Sequence, residues 1–318
     1  MNTLRQAVEE YLTLRRSLGF KLQSAGAALL DFVSFLEQHR ASYITLRLAL
    51  AWAKQPSGEQ ADTRAAQRLS FVRLFACYRS ATDPRTQIPP AGLLPFRPKR
   101  ARPYLYSDRE IQQLLHATLH MPLSPRHRKR CALLPWVYYC LFGLLSVTGL
   151  RLGEARNLRL QDVDLTAGVL TIRGAKFGKE RLVPLHVSTC KVLADYIARR
   201  QRHWADRPVS SYLFVSSWGN RLDSGQIHRA FYAASRRIGL RGASDSHGPR
   251  LHDLRHRFAT TTLANWYRSH QDPERCLPLL SAYLGHAHIA DTQWYLSSSP
   301  ELMREAMSRL ERRWEQRT

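Results

Sequence analysis

Arg151, Glu154, Lys176, His252, Arg255, His286 and Tyr295 follow one another through the second half of this 318-residue chain, and their side chains suit one kind of chemistry. A tyrosine hydroxyl can attack phosphorus, an imidazole or ammonium can carry the proton to a leaving alkoxide, and guanidiniums can meet the charge that grows on the phosphoryl oxygens. A tyrosine ionises only near pH ~10, so at neutral pH it needs a neighbouring base or a positive potential. Two arginines answer that need, because each planar fork matches two phosphate oxygens at once where lysine cannot. His252 and Arg255 stand three apart in a stretch of helical character, Leu251 to Ala264, so both project from one face. Glu154 lies three residues after Arg151, the spacing at which a carboxylate can hold the cation in place. The set is equipped to break and remake a phosphodiester.

The local contexts sharpen this reading. Arg151 sits in Thr148-Gly149-Leu150-Arg151-Leu152-Gly153-Glu154-Ala155, Arg255 in His252-Asp253-Leu254-Arg255-His256, and His286 in Leu284-Gly285-His286, nine positions before Tyr295. In these ordered motifs the chain resembles the tyrosine recombinases, the phage-integrase family that cuts and rejoins DNA through a phosphotyrosine. The resemblance implies that Tyr295 is the nucleophile, that Arg151 and Arg255 clamp the scissile phosphate, and that His252 is a base or hydrogen-bond donor. It further implies that His286 donates to a non-bridging oxygen and that Glu154 buttresses Arg151 or His252. A hairpin lysine of the family protonates the leaving oxygen. Val169 to Ile172 and Arg181 to Pro184 flank a glycine-containing turn with Lys176 and Lys179, and Lys176 is the better match.

Other chemistries fit less well. Gly174 to Lys179 is one residue short of a nucleotide-binding phosphate loop and has Glu180 where a magnesium-binding hydroxyl would stand. His116 and His120 share a helical face without a third ligand, so no metal site is expected, and no dinucleotide fingerprint is present. The chemistry is expected to run without a cofactor. Cys131 to Leu150 is uncharged for twenty residues and follows a basic cluster, which mimics a membrane span. Pro135, Tyr138, Tyr139, Ser146 and Thr148 dilute it, so a buried helix of the catalytic domain is expected instead.

Charge points to a polyanion. Lys plus Arg number 48 against 25 Asp plus Glu, for a net charge of +23, and only seven of the 48 are lysine. Both halves share the excess: 16 basic against 7 acidic residues up to position 105, 32 against 18 beyond it. Five cysteines without a Cys-x-x-Cys suggest reduced thiols in the cytoplasm, and the charged N-terminal residues lack a secretory apolar core.

The fold expected is mainly α with a small β-hairpin or sheet. Apolar spacing predicts helices at Leu4 to Leu18, Ala25 to His39, Leu46 to Ala53 and Asp62 to Arg79. They form a helical module over 1–88 that resembles the family's core-binding domain, with Lys21, Arg64 and Arg68 as candidate DNA contacts. A basic, proline-rich linker is expected over 89–105, and an α+β catalytic domain over 106–318, opened by the capping box Ser107-Asp108-Arg109-Glu110. Beyond the hairpin, a helix from Ser188 to Arg200, a short strand at Tyr212 to Ser216, a helix from Ser224 to Gly239 and a C-terminal helix from Pro300 to about Trp314 are expected.

The resemblance also implies a double-stranded DNA partner with a specific recombination site. Four like protomers, or an assembly with related recombinases, would act on two duplexes, with no membrane involved. The step from Arg255 to His286 is longer than usual for the family, with Trp266 to Cys276 as the extra material; together with Trp294-Tyr295-Leu296 and Pro300-Glu301-Leu302-Met303 it resembles a mobile-element branch whose recombinases occur in trios. The rival readings are a type IB topoisomerase-like relaxing enzyme and a DNA-binding regulator with an idle site.

Overall fold

The computed structural model describes residues 3–55, 61–95, 102–122, 128–173, 180–245, 247–269, 271–296 and 300–315. They fall into two compact units, Met1–Ala101 and Arg102–Thr318.

The first unit is helical: α1 (Leu4–Ser17), α2 (Gln23–Gln38), α3 (Leu46–Ala53) and α4 (Ala61–Arg79). Thr3 and Thr45 open α1 and α3 by accepting from the backbone N–H groups of Gln6 and Leu48, which satisfies donors a helix start leaves orphaned. The apolar faces meet in a core centred on Phe32, Leu36, Ile44, Trp52 and Phe75, all fully buried. The start of the proline-rich segment packs on this core: Pro89 accepts from Arg73 Nη1 at 2.6 Å, and Leu94 lies against the apolar cluster. Prolines stop a helix, but they do not stop a chain from packing.

The second unit continues with α5 (Asp108–Leu119), α6 (Arg128–Cys131), α7 (Leu134–Thr148) and α8 (Leu152–Asn157). An antiparallel sheet follows, in the order β1 (Val163–Asp164), β2 (Val169–Ile172) and β3 (Arg181–Pro184), with Ile172 opposite Arg181. Then come α9 (Val187–His203), α10 (Ser224–Arg237), α11 (Asp253–Arg268), α12 (Pro273–Leu284), α13 (Ala290–Gln293) and α14 (Pro300–Glu315). The capping box at Ser107 and Glu110 forms as its spacing requires.

Lys129–Thr148 is long and apolar enough to cross a membrane, yet α7 is the centre of this unit's core. Val137, Leu141 and Phe142 are fully buried, and the helix packs against α5, α9 and α11. Tyr212 to Ser216 differs from expectation: it makes only isolated bridges, Arg159 with Tyr212 and Val215 with Arg221. Its Leu213, Phe214 and Val215 are buried as an apolar run, a pattern a core loop shares with a strand.

Candidate functional site

The site is organised around the end of α12. Gly285 follows the helix in the left-handed conformation (φ +66°), its N–H reaching Ala282 O and that of His286 reaching Ser281 O. This closure leaves the next carbonyls, those of Tyr283, Leu284 and Gly285, aimed away from the helix as acceptors. Three guanidiniums take them. Arg181 Nε donates to Tyr283 O at 2.8 Å, Arg255 Nη2 to Leu284 O at 2.7 Å, and Arg151 Nη1 and Nη2 to Leu284 O and Gly285 O at 3.3 and 3.1 Å. The negative end of the helix dipole favours cations there.

Arg151 enters from the turn between α7 and α8. Gly149 ends α7 at φ +61°, and a Cβ there would lie 2.6 Å from Phe258 Cδ1, so the tight reversal that presents Arg151 needs glycine. Glu154, three residues on, accepts from the Arg151 backbone N–H at 2.9 Å and from Nη1 at 3.0 Å. It also receives Arg181 Nη1 and Nη2 at 3.0 and 2.8 Å. Burial works to raise the Glu154 pKa, but the hydrogen bonds and charge of Arg181 and Arg151 outweigh it and hold the carboxyl below the usual range.

Arg255 projects inward from the first turn of α11 and is 3% exposed. A cation near a helix N-terminus is at the unfavourable end of that dipole, and the carbonyls of Gly149 (2.7 Å) and Leu284 offset this. Burial, then the like charge of Arg151, lowers its pKa from the ordinary arginine value, while Tyr295 and Glu154 favour its charged form. His252 immediately precedes α11, outside the regular helix, with an exposed side chain. Crowding by surrounding protein and then the Arg255 charge nonetheless pull its pKa below the usual histidine range.

His286 stands between Arg255 and α13. Arg255 Nη2 lies 2.9 Å from its Nε2 and Thr292 Oγ1 2.6 Å from its Nδ1. A guanidinium can only donate, so Nε2 accepts and the ring is neutral here. Burial, then Arg255 and Arg151, pull its pKa down to about 4. The Tyr295 ring stacks on His286 at 6.0 Å, contacts His256 at 5.4 Å, and is 3% exposed. Its hydroxyl is close enough to Arg255 to hydrogen-bond with it. Tyr283, the other tyrosine near this helix end, instead stacks on Phe258 at 5.4 Å.

The structure thus brings together Arg151, Glu154, His252, Arg255, His286 and Tyr295, and it adds Arg181, which the sequence motifs passed over. Three guanidiniums against one carboxylate leave two positive charges in excess among the described residues, suited to the dianionic transition state of phosphodiester exchange. Lys176 and Lys179 lie outside the described residues. In the first unit Lys21 and Arg64 are exposed. Arg68 is not held in the same way: its guanidinium stacks 3.9 Å above the Trp52 ring and pairs with Asp31 at 3.2 Å.

Residues 106–301 match the profile of the phage integrase family. Two proteins of Sinorhizobium fredii, y4rB and y4rE, both named as integrase/recombinases, align along nearly the whole chain. The first is 66% identical over 318 residues, covering 100% of both chains, and the second 34% identical over 306 residues, covering 96% of this chain and 95% of the relative. Among solved structures, the Tn1549 transposon integrase in complex with transposon right end DNA shares the fold. Its TM-score is 0.63 at 16% identity, over 98% of this chain and 99% of that one.

Proposed function

This chain belongs to the phage integrase family, the tyrosine recombinases, and from that premise we propose how its site cuts and rejoins DNA. Arg151 and Arg255 hold the non-bridging oxygens of the scissile phosphate. Tyr295 Oη attacks phosphorus, the bond to the 5′-oxygen breaks, and a 3′-phosphotyrosine forms. His252 takes the phenolic proton or donates a hydrogen bond, and Lys176 supplies the proton the departing 5′-oxygen needs. His286 accepts from Arg255 while the phosphate is absent, and donates to a non-bridging oxygen once that anion raises its proton affinity. Attack by a partner strand's 5′-hydroxyl reverses the chemistry, so the bond energy is conserved without a cofactor. Supporting this reading above all is the convergence of Arg151, Arg255, His286 and Tyr295 on one helix end.

Exchange between two duplexes breaks four strands, and each chain carries one Tyr295, which calls for four protomers, alike or combined with related recombinases. Helix α14 offers a contact for such an assembly. Leu302 is buried against its own unit, whereas Met303, Met307, Leu310 and Trp314 form an exposed apolar stripe. We assign residues 1–88 to DNA core binding through Lys21 and Arg64, with Arg68 held in packing on Trp52 and Asp31, 89–105 to the connection, and 106–318 to catalysis, all in the cytoplasm.

The test is a nicked suicide substrate carrying the chain's own recombination site. The wild type should trap a covalent adduct on DNA and Tyr295→Phe none. An adduct from Tyr295→Phe, or its loss in Tyr283→Phe instead, would overturn the assignment.

A further inference from the structure

Arg181 opens β3 and carries none of the motifs that mark the site, yet all three of its guanidinium nitrogens are engaged within it. Its side chain is 12% exposed, against 35% for Arg151. The two arginines share Glu154 unequally. Arg181 occupies the carboxylate as a two-pronged fork, Nη1 on Oε1 and Nη2 on Oε2, whereas Arg151 reaches it with one guanidinium nitrogen, Nη1, and its backbone N–H.

Geometry of this kind has a chemical consequence. A carboxylate three residues from an arginine readily closes a bidentate pair with it, and a fork so closed has its charge neutralised and its donors spent. With Arg181 holding both oxygens, Glu154 can steady Arg151 without closing on it. Beyond its single Nη1 bond to Glu154, the Arg151 guanidinium has the longer contacts to Leu284 O and Gly285 O, which an incoming phosphate can outbid. Gly285 belongs to the arrangement as well, since a Cβ there would lie 2.8 Å from Arg181 Nη1.

We propose that Arg181 is a positioning residue for strand cleavage: by holding both oxygens of Glu154 and the Tyr283 carbonyl, it keeps the Arg151 fork open toward the scissile phosphate. It touches no DNA in this role and acts through Glu154 and Arg151. Because the strand carrying it also carries one arm of the hairpin, the alignment of Arg151 is tied to the sheet. The inference rests on the reading of Arg151 as a phosphate clamp.

The test uses the full chain on two suicide substrates, one with an ordinary phosphodiester and one with a neutral methylphosphonate at the scissile position. Removing the phosphate charge removes most of what a well-aimed arginine contributes. Arg181→Lys keeps a cation but cannot hold three acceptors in one plane. Its cleavage of the phosphodiester at saturating DNA should fall about a hundredfold, with single-site binding within about threefold of wild type. On the methylphosphonate the loss should shrink to less than about tenfold. Glu154→Gln, which keeps the shape and removes the charge, should show the same selective recovery, and the double variant should be no worse than Arg181→Lys alone.

Equal losses on both substrates, additive losses in the double variant, or wild-type cleavage by Arg181→Lys would each overturn the proposal. Should Arg181→Lys not fold, Glu154→Gln on the two substrates decides it by the same criterion. Arg151→Ala separates the two levels. If it cleaves the phosphodiester normally, the clamp reading itself has failed, and if it is crippled while Arg181→Lys is not, only the role of Arg181 has.

Discussion

Arg68 in the first unit and Arg255 in the second are both largely buried guanidiniums, and they are held by opposite means. Arg68 lies on the face of Trp52 and pairs with the Asp31 carboxylate, which also accepts from Trp52 Nε1 at 2.9 Å. Arg255 has no carboxylate in its hydrogen-bonding shell among the described residues; carbonyls of Gly149 and Leu284 and the His286 ring hold it. A cation matched by an anion is electrically finished and serves packing, as long arginine stems often do. A cation held by dipoles keeps its charge for a ligand, at the cost of desolvation that only an oriented polar shell can offset. The same residue type is therefore a strut in one unit and a receptor in the other.

The widest expected separation between the two is in cleavage. Arg255→Ala should lose on the order of a hundredfold or more in suicide-substrate cleavage, while filter or gel-shift binding to a single site falls only several-fold, since many cations share the phosphate contacts. Parallel losses in rate and affinity would make Arg255 an ordinary DNA contact.

Next in size is a backbone perturbation at the helix end that holds the receptor arginines. Gly285→Ala puts an L-residue at φ +66° and a methyl against Arg181, costing about 1–2 kcal/mol of backbone strain. Calorimetry should show a lower Tm, and cleavage should drop by about tenfold as the carbonyls shift. An unchanged Tm with unchanged cleavage would show that the helix end tolerates movement.

A smaller effect should appear with pH. The folded-state pKa of His286 is depressed to about 4, so between that value and the ~6.5 of an unfolded histidine the unfolded chain binds more protons. Stability should therefore decline as pH falls from about 6.5 toward 4 and be flat in this term above it. His252, shifted the same way, adds to the slope. Denaturant titrations of wild type and His286→Gln should differ in slope across that window, and identical slopes would remove His286 as a contributor.

The smallest effect is at the strut. Arg68→Ala should cost the first unit about 1 kcal/mol through the lost contact with Trp52 and Asp31. Cleavage by the bound complex should stay within about twofold, a limit set by its carrying no reacting group. A loss of DNA affinity larger than the loss of stability would instead return Arg68 to the DNA-contacting role its basic helix suggested.

Much of the site was readable before any fold was known. Arg151 with Glu154 announces a local ion pair, because that effect acts over three or four residues, whereas the left-handed helix ends at Gly149 and Gly285 emerged only with the structure. The hairpin was legible from its β-branched arms. Arg181 was not, since a basic residue opening a strand is ordinary, and its partners lie 27 and 102 positions away. The role of Arg68 was hidden for the same reason: nothing in a basic helix tells which arginine will find a tryptophan face 16 residues earlier. Leu213 to Val215 read as a strand because burial without pairing leaves the same apolar letters.

By itself the sequence determined residue types, helix starts and stops, and the order of the reacting groups, all of which rest on short-range geometry. Only the tertiary structure decided what holds them. Arg151 meets carbonyls 133 and 134 positions along the chain and Arg255 meets one 106 positions back. Every residue carries a backbone carbonyl, so no letter in the sequence marks which of them a buried arginine will use; packing Phe258 of α11 and Leu284 of α12 against Gly149 in the turn after α7 makes that choice.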